Sequence, residues 1–274
     1  MLDTLRELLS YAFLLRALAV GTLVSLCAAL LGVTLVLKRY SMIGDGLSHV
    51  GFAALAIATV LNAAPLAVAI PVVVAAAFLL LRISGSGRIK GDAAIGLLST
   101  CALAIGVILI SLSSGMNTEI SNYLFGSILS MSREDVILSA AIALAVLLLF
   151  LIFYNRIFAV TFDETFARAT GVRVGAYNAL IALLTALTIV VGMRMMGSML
   201  ISGLLIFPAL SAMRLCKRFR RVIIVAAILS VCCFFLGTLA SCLLAIPTGA
   251  SVITANLIVL LLLSAAGRLR ERIS

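Results

Sequence analysis

Residues 142–153 read IALAVLLLFLIF, an unbroken apolar run that contains no polar side chain. A transmembrane β-strand alternates apolar and polar residues, so this run predicts a helix that crosses a bilayer. Such a helix needs about 20 residues. At that length the chain of 274 residues has nine apolar segments, and we predict an all-α, polytopic transmembrane bundle of about eight or nine spans that forms a single domain over 1–274. The segments lie at about 14–37, 43–62, 66–81, 93–114, 135–154, 176–193, 197–213, 222–246 and 250–266.

The composition excludes most other protein classes. Hydrophobic residues make up 64% of the chain, charged residues make up 11%, and the mean hydropathy is +1.32. A soluble domain has about 45–50% apolar and about 25% charged residues, so an ordinary globule, a disordered chain and a secreted disulfide scaffold are all excluded. The net charge of +10 does not predict a nucleic-acid partner, because the basic residues lie between apolar segments and indicate topology instead.

The distribution of Lys and Arg predicts the orientation of the bundle. If the N-terminus lies outside and all nine segments span, sixteen of the 20 Lys and Arg residues fall on the inner side. Membrane proteins keep basic loops on the cytoplasmic side, so we predict an N-out, C-in topology.

The second apolar segment contains two ionisable residues, within Ser41-Met-Ile-Gly-Asp-Gly-Leu-Ser-His-Val50. Asp45 and His49, the single histidine, are four residues apart and therefore share one face of a helix. Ionisable groups inside a membrane are costly and indicate a functional site. A carboxylate with an imidazole suits Mn, Zn or Fe(II), and a two-fold homodimer would supply each ligand twice, giving four.

Asp45, His49 and other polar residues also have interpretations in which they stabilise the fold and bind no metal. Asp45 would cap a helix that starts near Gly46, and His49 would then bond to a neighbouring helix. Asp92, at the start of the fourth segment, and Glu119, in the external stretch 115–135, are weaker metal candidates. Asp92 fits a helix cap, and Glu119 fits a solvated loop.

Five stretches resemble a known family, the membrane permease subunits of bacterial ATP-binding-cassette importers for zinc, manganese or iron. The first, KRYSMIGDGLSHVGFA at 38–53, is the most specific and contains Asp45 and His49. The others are Gly91–Ser99, Tyr123–Leu129, Phe162–Val172 and Gly197–Ala209.

The resemblance implies a permease that imports a divalent transition metal ion across the bacterial inner membrane. It implies a homodimer in the lipid bilayer, two ATPase subunits on the inner face and an extracytoplasmic metal-binding protein, with the metal as cargo and no resident cofactor. The family's ATPase-docking loop matches 156–175, with Asp163, Glu164, Ala167 and Gly171 as docking residues. We expect no enzymatic activity, because the chain has no P-loop and no room for a nucleotide-hydrolysing domain.

Two other transport functions remain as alternatives. A permease for a metal chelate such as a siderophore needs a wide, aromatic-lined cavity, whereas this chain has no Trp and five Tyr. A carrier coupled to protons or sodium needs several intramembrane acids, and Asp45 is the single clear candidate.

Overall fold

The computed structural model describes residues 12–85, 91–112, 133–244 and 246–273. The regular structure in these ranges is entirely helical, and nine of its helices are long and apolar enough to cross a membrane. This confirms the predicted all-α fold and the predicted number of spans. The helices are α1 (Ala12–Leu37), α2 (Ile43–Val60), α3 (Pro65–Gly85), α4 (Gly91–Leu112), α5 (Arg133–Ile152), α6 (Tyr154–Phe162), α7 (Glu164–Ala169), α8 (Val174–Met196), α9 (Ser198–Leu215), α10 (Phe219–Leu244) and α11 (Thr248–Ile273).

Helices α1 and α8 form the centre of the bundle. Helix α1 packs against α5, α8, α9 and α10, and α8 also packs against α2 and α3. Close packing of α1 on α9 depends on Gly32, because a Cβ at this position would overlap the backbone carbonyl oxygen of Leu205. Small residues allow helices to approach closely inside membranes, where packing rather than hydrophobicity holds them together.

Helix α2 is enclosed by its neighbours on most of its surface. It packs most extensively on α4, and also contacts α3, α8 and α9. A Cβ at Gly46 would lie 2.7 Å from Cγ2 of Ile95, so glycine lets the first turns of α2 and α4 meet. This packing fixes the orientation of α2 and therefore the direction in which its two ionisable side chains point.

The stretch predicted as an internal loop contains two short helices, α6 and α7, between α5 and α8. Helix α6 is anchored by the buried side chains of Ile157 and Val160, while Arg156 and Phe162 are exposed. The sequence prediction did not include α6, because its amphipathic pattern is too short to suggest a span.

One end of the bundle, which we call the basic end, carries the C-terminus of α1, the N-terminus of α2, and helices α6 and α7. Lys38 bonds to Glu164, which brings α1 to α7, and the rings of Phe158 and Phe219 lie 5.0 Å apart, which brings α6 to the start of α10. Basic residues therefore gather at this end, as the predicted topology requires. Which side of the membrane the basic end faces remains a prediction.

Candidate metal centre

Asp45 and His49 lie on an open strip of α2. All the other residues between Ile43 and Ala56 are buried, whereas the Asp45 side chain is 47% exposed and the His49 side chain is 20% exposed. Their spacing of four residues places both on the same face, as the sequence predicts. The packing of α2 therefore leaves an opening at the two residues that the sequence singles out as metal ligands.

The distance between the two side chains suits a shared cation. Nε2 of His49 lies 3.6 Å from Oδ2 of Asp45, which is longer than a hydrogen bond. With metal–ligand bonds of about 2.1 Å, one ion can contact both atoms at an angle of about 118°, close to tetrahedral. The same separation is within ion-pair distance when the imidazole is protonated, so the geometry fits both an ion pair and two ligands of one cation.

The structure does not support the purely structural interpretation of this pair. Helix α2 begins at Ile43 with Met42 as its N-cap, so Asp45 is the third helical residue and does not cap the helix. The Ser48 hydroxyl donates to the backbone carbonyl of Asp45 and leaves the carboxylate unengaged by that bond. Nδ1 of His49 is buried and has no hydrogen-bond partner among the described residues. Nε2 is the ring nitrogen that lies beside the Asp45 carboxylate, so it is the one available to an ion shared by the pair.

The described part of the chain brings two candidate metal ligands together. Across the described ranges, no group of three or more His, Cys, Asp or Glu side chains comes close enough to hold a metal ion. Zinc usually takes four ligands, and manganese and iron take more. Any remaining ligands would come from water, from other residue types, from residues outside the described ranges or from a second chain.

Of the two weaker metal candidates, the structure describes Asp92, which does not join this pair. Asp92 lies in the first turn of α4 with an exposed side chain, and no described interaction joins it to Asp45 or His49. Glu119 lies outside the described residues.

Three of the four predicted docking residues determine where helix α7 begins, how it packs and how the chain continues after it. Asp163 caps the helix, its Oδ1 accepting a hydrogen bond of 2.9 Å from the backbone N–H of Phe166. Ala167 is completely buried beneath the helix. The chain leaves through Gly171, whose φ of +81° is a left-handed conformation that glycine adopts without strain. Phe162 and Phe166 remain exposed on the surface of this segment.

The fourth docking residue, Glu164, belongs to a junction of four helices that the sequence did not predict. Nζ of Lys38, at the end of α1, donates to Oε1 of Glu164 at 2.6 Å and to the carbonyl of Val160 at 3.1 Å. Nδ2 of Asn178, in α8, donates to the same Glu164 oxygen at 3.1 Å. The Lys38 side chain is only 8% exposed. In the sequence, this junction is indicated by Lys38, which lies next to the metal motif, seven residues before Asp45.

The junction persists at neutral pH. Burial acts to raise the pKa of the Glu164 carboxyl, but hydrogen bonds from Lys38 and Asn178, together with the charges of Lys38 and Arg168, outweigh burial and hold the pKa below its usual range. Because the folded pKa is lowered, the contribution of Glu164 to stability is fully present above the unfolded pKa of about 4.3 and is lost as the pH falls through the folded value.

A second ion pair, also missed from the sequence, joins two spans at the opposite end of the bundle. Nη2 of Arg194, in the last turn of α8, lies 3.7 Å from Oδ2 of Asp135, in the first turn of α5. An arginine inside an apolar segment requires a counter-charge, and this requirement is the signal that could have identified Asp135.

Comparisons with known proteins agree with this architecture. The profile of a family described as the ABC 3 transport family matches residues 10–267. The "Manganese transport system membrane protein MntC" of Halalkalibacterium halodurans is 32% identical over 247 residues, covering 90% of this chain and 85% of that protein. A Haemophilus influenzae protein named "Probable iron transport system membrane protein" is 32% identical over 255 residues, covering 93% and 90%. The solved structure of PsaBC from Streptococcus pneumoniae in complex with Fab matches with a TM-score of 0.85 at 29% identity, covering 96% and 95%.

Proposed function

This chain belongs to the ABC 3 transport family, and from that membership we propose that it imports a divalent transition metal ion as the permease subunit of an ATP-binding-cassette transporter. It is a metal transport permease of that class and a multi-pass protein of the plasma membrane. In the proposed N-out, C-in topology the basic end faces the cytoplasm, as the positive-inside rule favours.

The observation that carries the proposal is the opening of α2 at Asp45 and His49. A carboxylate and an imidazole facing hydrocarbon would be costly, so they must meet something polar. The 3.6 Å separation of Nε2 of His49 from Oδ2 of Asp45, and the exposure of both side chains on an otherwise buried stretch of helix, favour a cation in transit. In this proposal the ion exchanges hydration water for these side chains on its way through the permease.

A second copy of the chain would complete the conduit. Each chain offers two ligands on an exposed strip of an otherwise enclosed helix, and a two-fold axis beside that strip would bring four ligands together. The same contact would remove both polar side chains from lipid. We therefore propose a homodimer with Asp45 and His49 of each copy facing a shared path.

Helix α7 is the proposed contact with the ATPase subunit. It lies at the basic end next to the exposed Phe162 of α6, exposes Phe166, and is connected through Glu164 to Lys38 in the turn before α2. Movement of α7 under ATP-driven closure would pull directly on the turn that leads to Asp45. The ATPase thus supplies the energy, and the permease supplies selectivity and gating.

The donor set favours a bare ion over a chelate. One carboxylate oxygen and one imidazole nitrogen match manganese, zinc and ferrous iron, and calcium or magnesium would prefer oxygen alone. Manganese appears in the name of the Halalkalibacterium relative and iron in that of the Haemophilus relative. We propose manganese as the first cargo to test.

Uptake by the assembled transporter tests the proposed function. The permease, its ATPase and its metal-binding protein are reconstituted in liposomes, and manganese uptake is measured with zinc, ferrous iron or a ferric siderophore as competitor. We expect uptake to require ATP and the binding protein, with competition by free divalent ions and none by the siderophore. Uptake by the permease alone without ATP would favour an ion-coupled carrier, and competition by the siderophore alone would favour the chelate permease.

A further inference from the structure

A groove at the basic end has no role in the proposed metal path. It lies between the α5–α6 corner and the start of α10, and its volume is about 870 Å³. Helices α5 and α10 both pack on α1, which holds the two sides of the groove in place. The groove is preformed and large enough to take more than water.

The deeper part of this groove is apolar and lies within the membrane spans. Leu151 belongs to the last turn of α5, while Ile223 and Ile224 belong to the first turns of α10. Leu151 and Ile224 are both about half exposed. Because these side chains belong to spanning segments, the apolar part opens sideways to the hydrocarbon of the bilayer. An acyl chain can enter there, whereas a soluble protein cannot.

The mouth of the groove is strongly basic. Arg218 and Arg220 line it with Tyr154 and Asn155, and none of the described residues of the lining is acidic. In the described part of the chain neither arginine has a carboxylate partner, and both are exposed. Burial raises the pKa of the Tyr154 phenol and the charge of Arg220 acts in the opposite direction, so this guanidinium lies near the phenol. Two free guanidinium groups beside a hydroxyl and an amide form a recognition site for phosphate oxygens.

A cluster of aromatic rings separates the basic mouth of the groove from its apolar part. The Phe219 ring lies 5.7 Å from that of Tyr154, 5.0 Å from that of Phe158 and 5.6 Å from that of Phe162. Aromatic side chains favour the boundary between hydrocarbon and water, where headgroups lie. The cluster therefore sets the arginines at headgroup level and the aliphatic residues at the level of the chains.

We propose that this groove binds an anionic phospholipid, with its phosphate on Arg218 and Arg220 and an acyl chain along Leu151 and Ile224. Basic pockets between transmembrane helices on the cytoplasmic side are suited to such headgroups. The bound lipid tethers the corner between α5 and α6, and α6 leads directly into the proposed docking helix α7. The ATPase is not the occupant, because a partner in the aqueous phase reaches the mouth but not the apolar part.

Native mass spectrometry of the purified permease–ATPase complex tests this assignment. The complex is titrated with phosphatidylglycerol or with phosphatidylcholine, and bound lipid is counted. A double variant, Arg218→Gln with Arg220→Gln, is compared with a matched control, Arg214→Gln with Lys217→Gln, which removes the same charge from the same segment outside the groove lining. Ile224→Trp fills the apolar part and leaves the charges unchanged.

We expect the wild type to prefer phosphatidylglycerol and the groove variant to lose that preference by roughly tenfold or more, because each base contributes to anionic lipid binding. The control should behave like the wild type, and Ile224→Trp should reduce binding of phosphatidylglycerol. Equal binding of both lipids by the wild type, or an equal loss in the control, would overturn the proposal. Displacement by soluble glycerol phosphate would indicate a simple anion site, and lipid bound only after removal of the ATPase would assign the groove to that subunit.

Discussion

Replacing Asp45 with asparagine should reduce metal uptake by at least about 100-fold, since loss of even a hydrogen-bond partner of a metal ligand changes affinity about 10–100-fold. Asparagine keeps the size of the side chain and removes its charge, so the loss reflects lost attraction for the cation. His49→Gln should have a similar effect, because glutamine lacks the imidazole nitrogen. Initial uptake rates in proteoliposomes that contain the assembled transporter measure both effects.

Ser48→Ala is the control for these two variants. Ser48 is buried between the two ligands in sequence, but its hydroxyl contacts only the backbone carbonyl of Asp45 in the described structure. This variant should transport at close to the wild-type rate. If Asp45→Asn and His49→Gln assemble with the ATPase and both retain wild-type uptake, these residues are not on the path of the ion.

The second large effect is expected at the junction between Lys38 and Glu164. Glu164→Lys would place a second ammonium beside the nearly buried amine of Lys38, where the carboxylate now accepts a bond of 2.6 Å. The Glu164 side chain is 45% exposed, but loss of its carboxylate would leave the nearly buried Lys38 ammonium without a counter-charge, which is unfavourable. We expect uptake to fall at least about tenfold while the complex still hydrolyses ATP. The reason is that α7 would no longer move together with the turn between α1 and α2.

A double variant in which the two charges are exchanged distinguishes a loss of coupling to the ATPase from a loss of stability. Lys38→Glu combined with Glu164→Lys should restore part of the uptake and its dependence on ATP. Arg39→Gln, which removes an exposed charge next to Lys38, should have little effect. The coupling role is wrong if Glu164→Lys retains wild-type uptake per ATP hydrolysed, or if the reversed pair is as defective as the single variant.

The number of spans could be predicted from the sequence because each span is a local property. A run such as Ile142–Phe153 determines a membrane helix regardless of its neighbours. The shared face of Asp45 and His49 was predictable for the same reason, since four residues make about one turn. Both expectations depend on short stretches of chain and on nothing distant.

Other features depend on contacts between distant residues. The exposure of Asp45 and His49 follows from the packing of α2 on α4 at Gly46, which no single segment encodes. Lys38 and Glu164 are 126 residues apart in sequence, so their pairing appears only when α1 and α7 meet at the basic end. Likewise, the partner of Arg194 comes from the preceding span.

The most direct test of the account is the coordination of a trapped ion. Mn²⁺ bound to the purified permease–ATPase complex, with the binding protein removed, can be studied by pulsed electron paramagnetic resonance, which detects a directly bound nitrogen. We predict a nitrogen coupling from an imidazole in the wild type, its loss in His49→Gln, and its retention with weaker Mn²⁺ binding in Asp45→Asn. An unchanged nitrogen signal in His49→Gln, or bound Mn²⁺ with no nitrogen in the wild type, would contradict the assignment of His49 as a ligand.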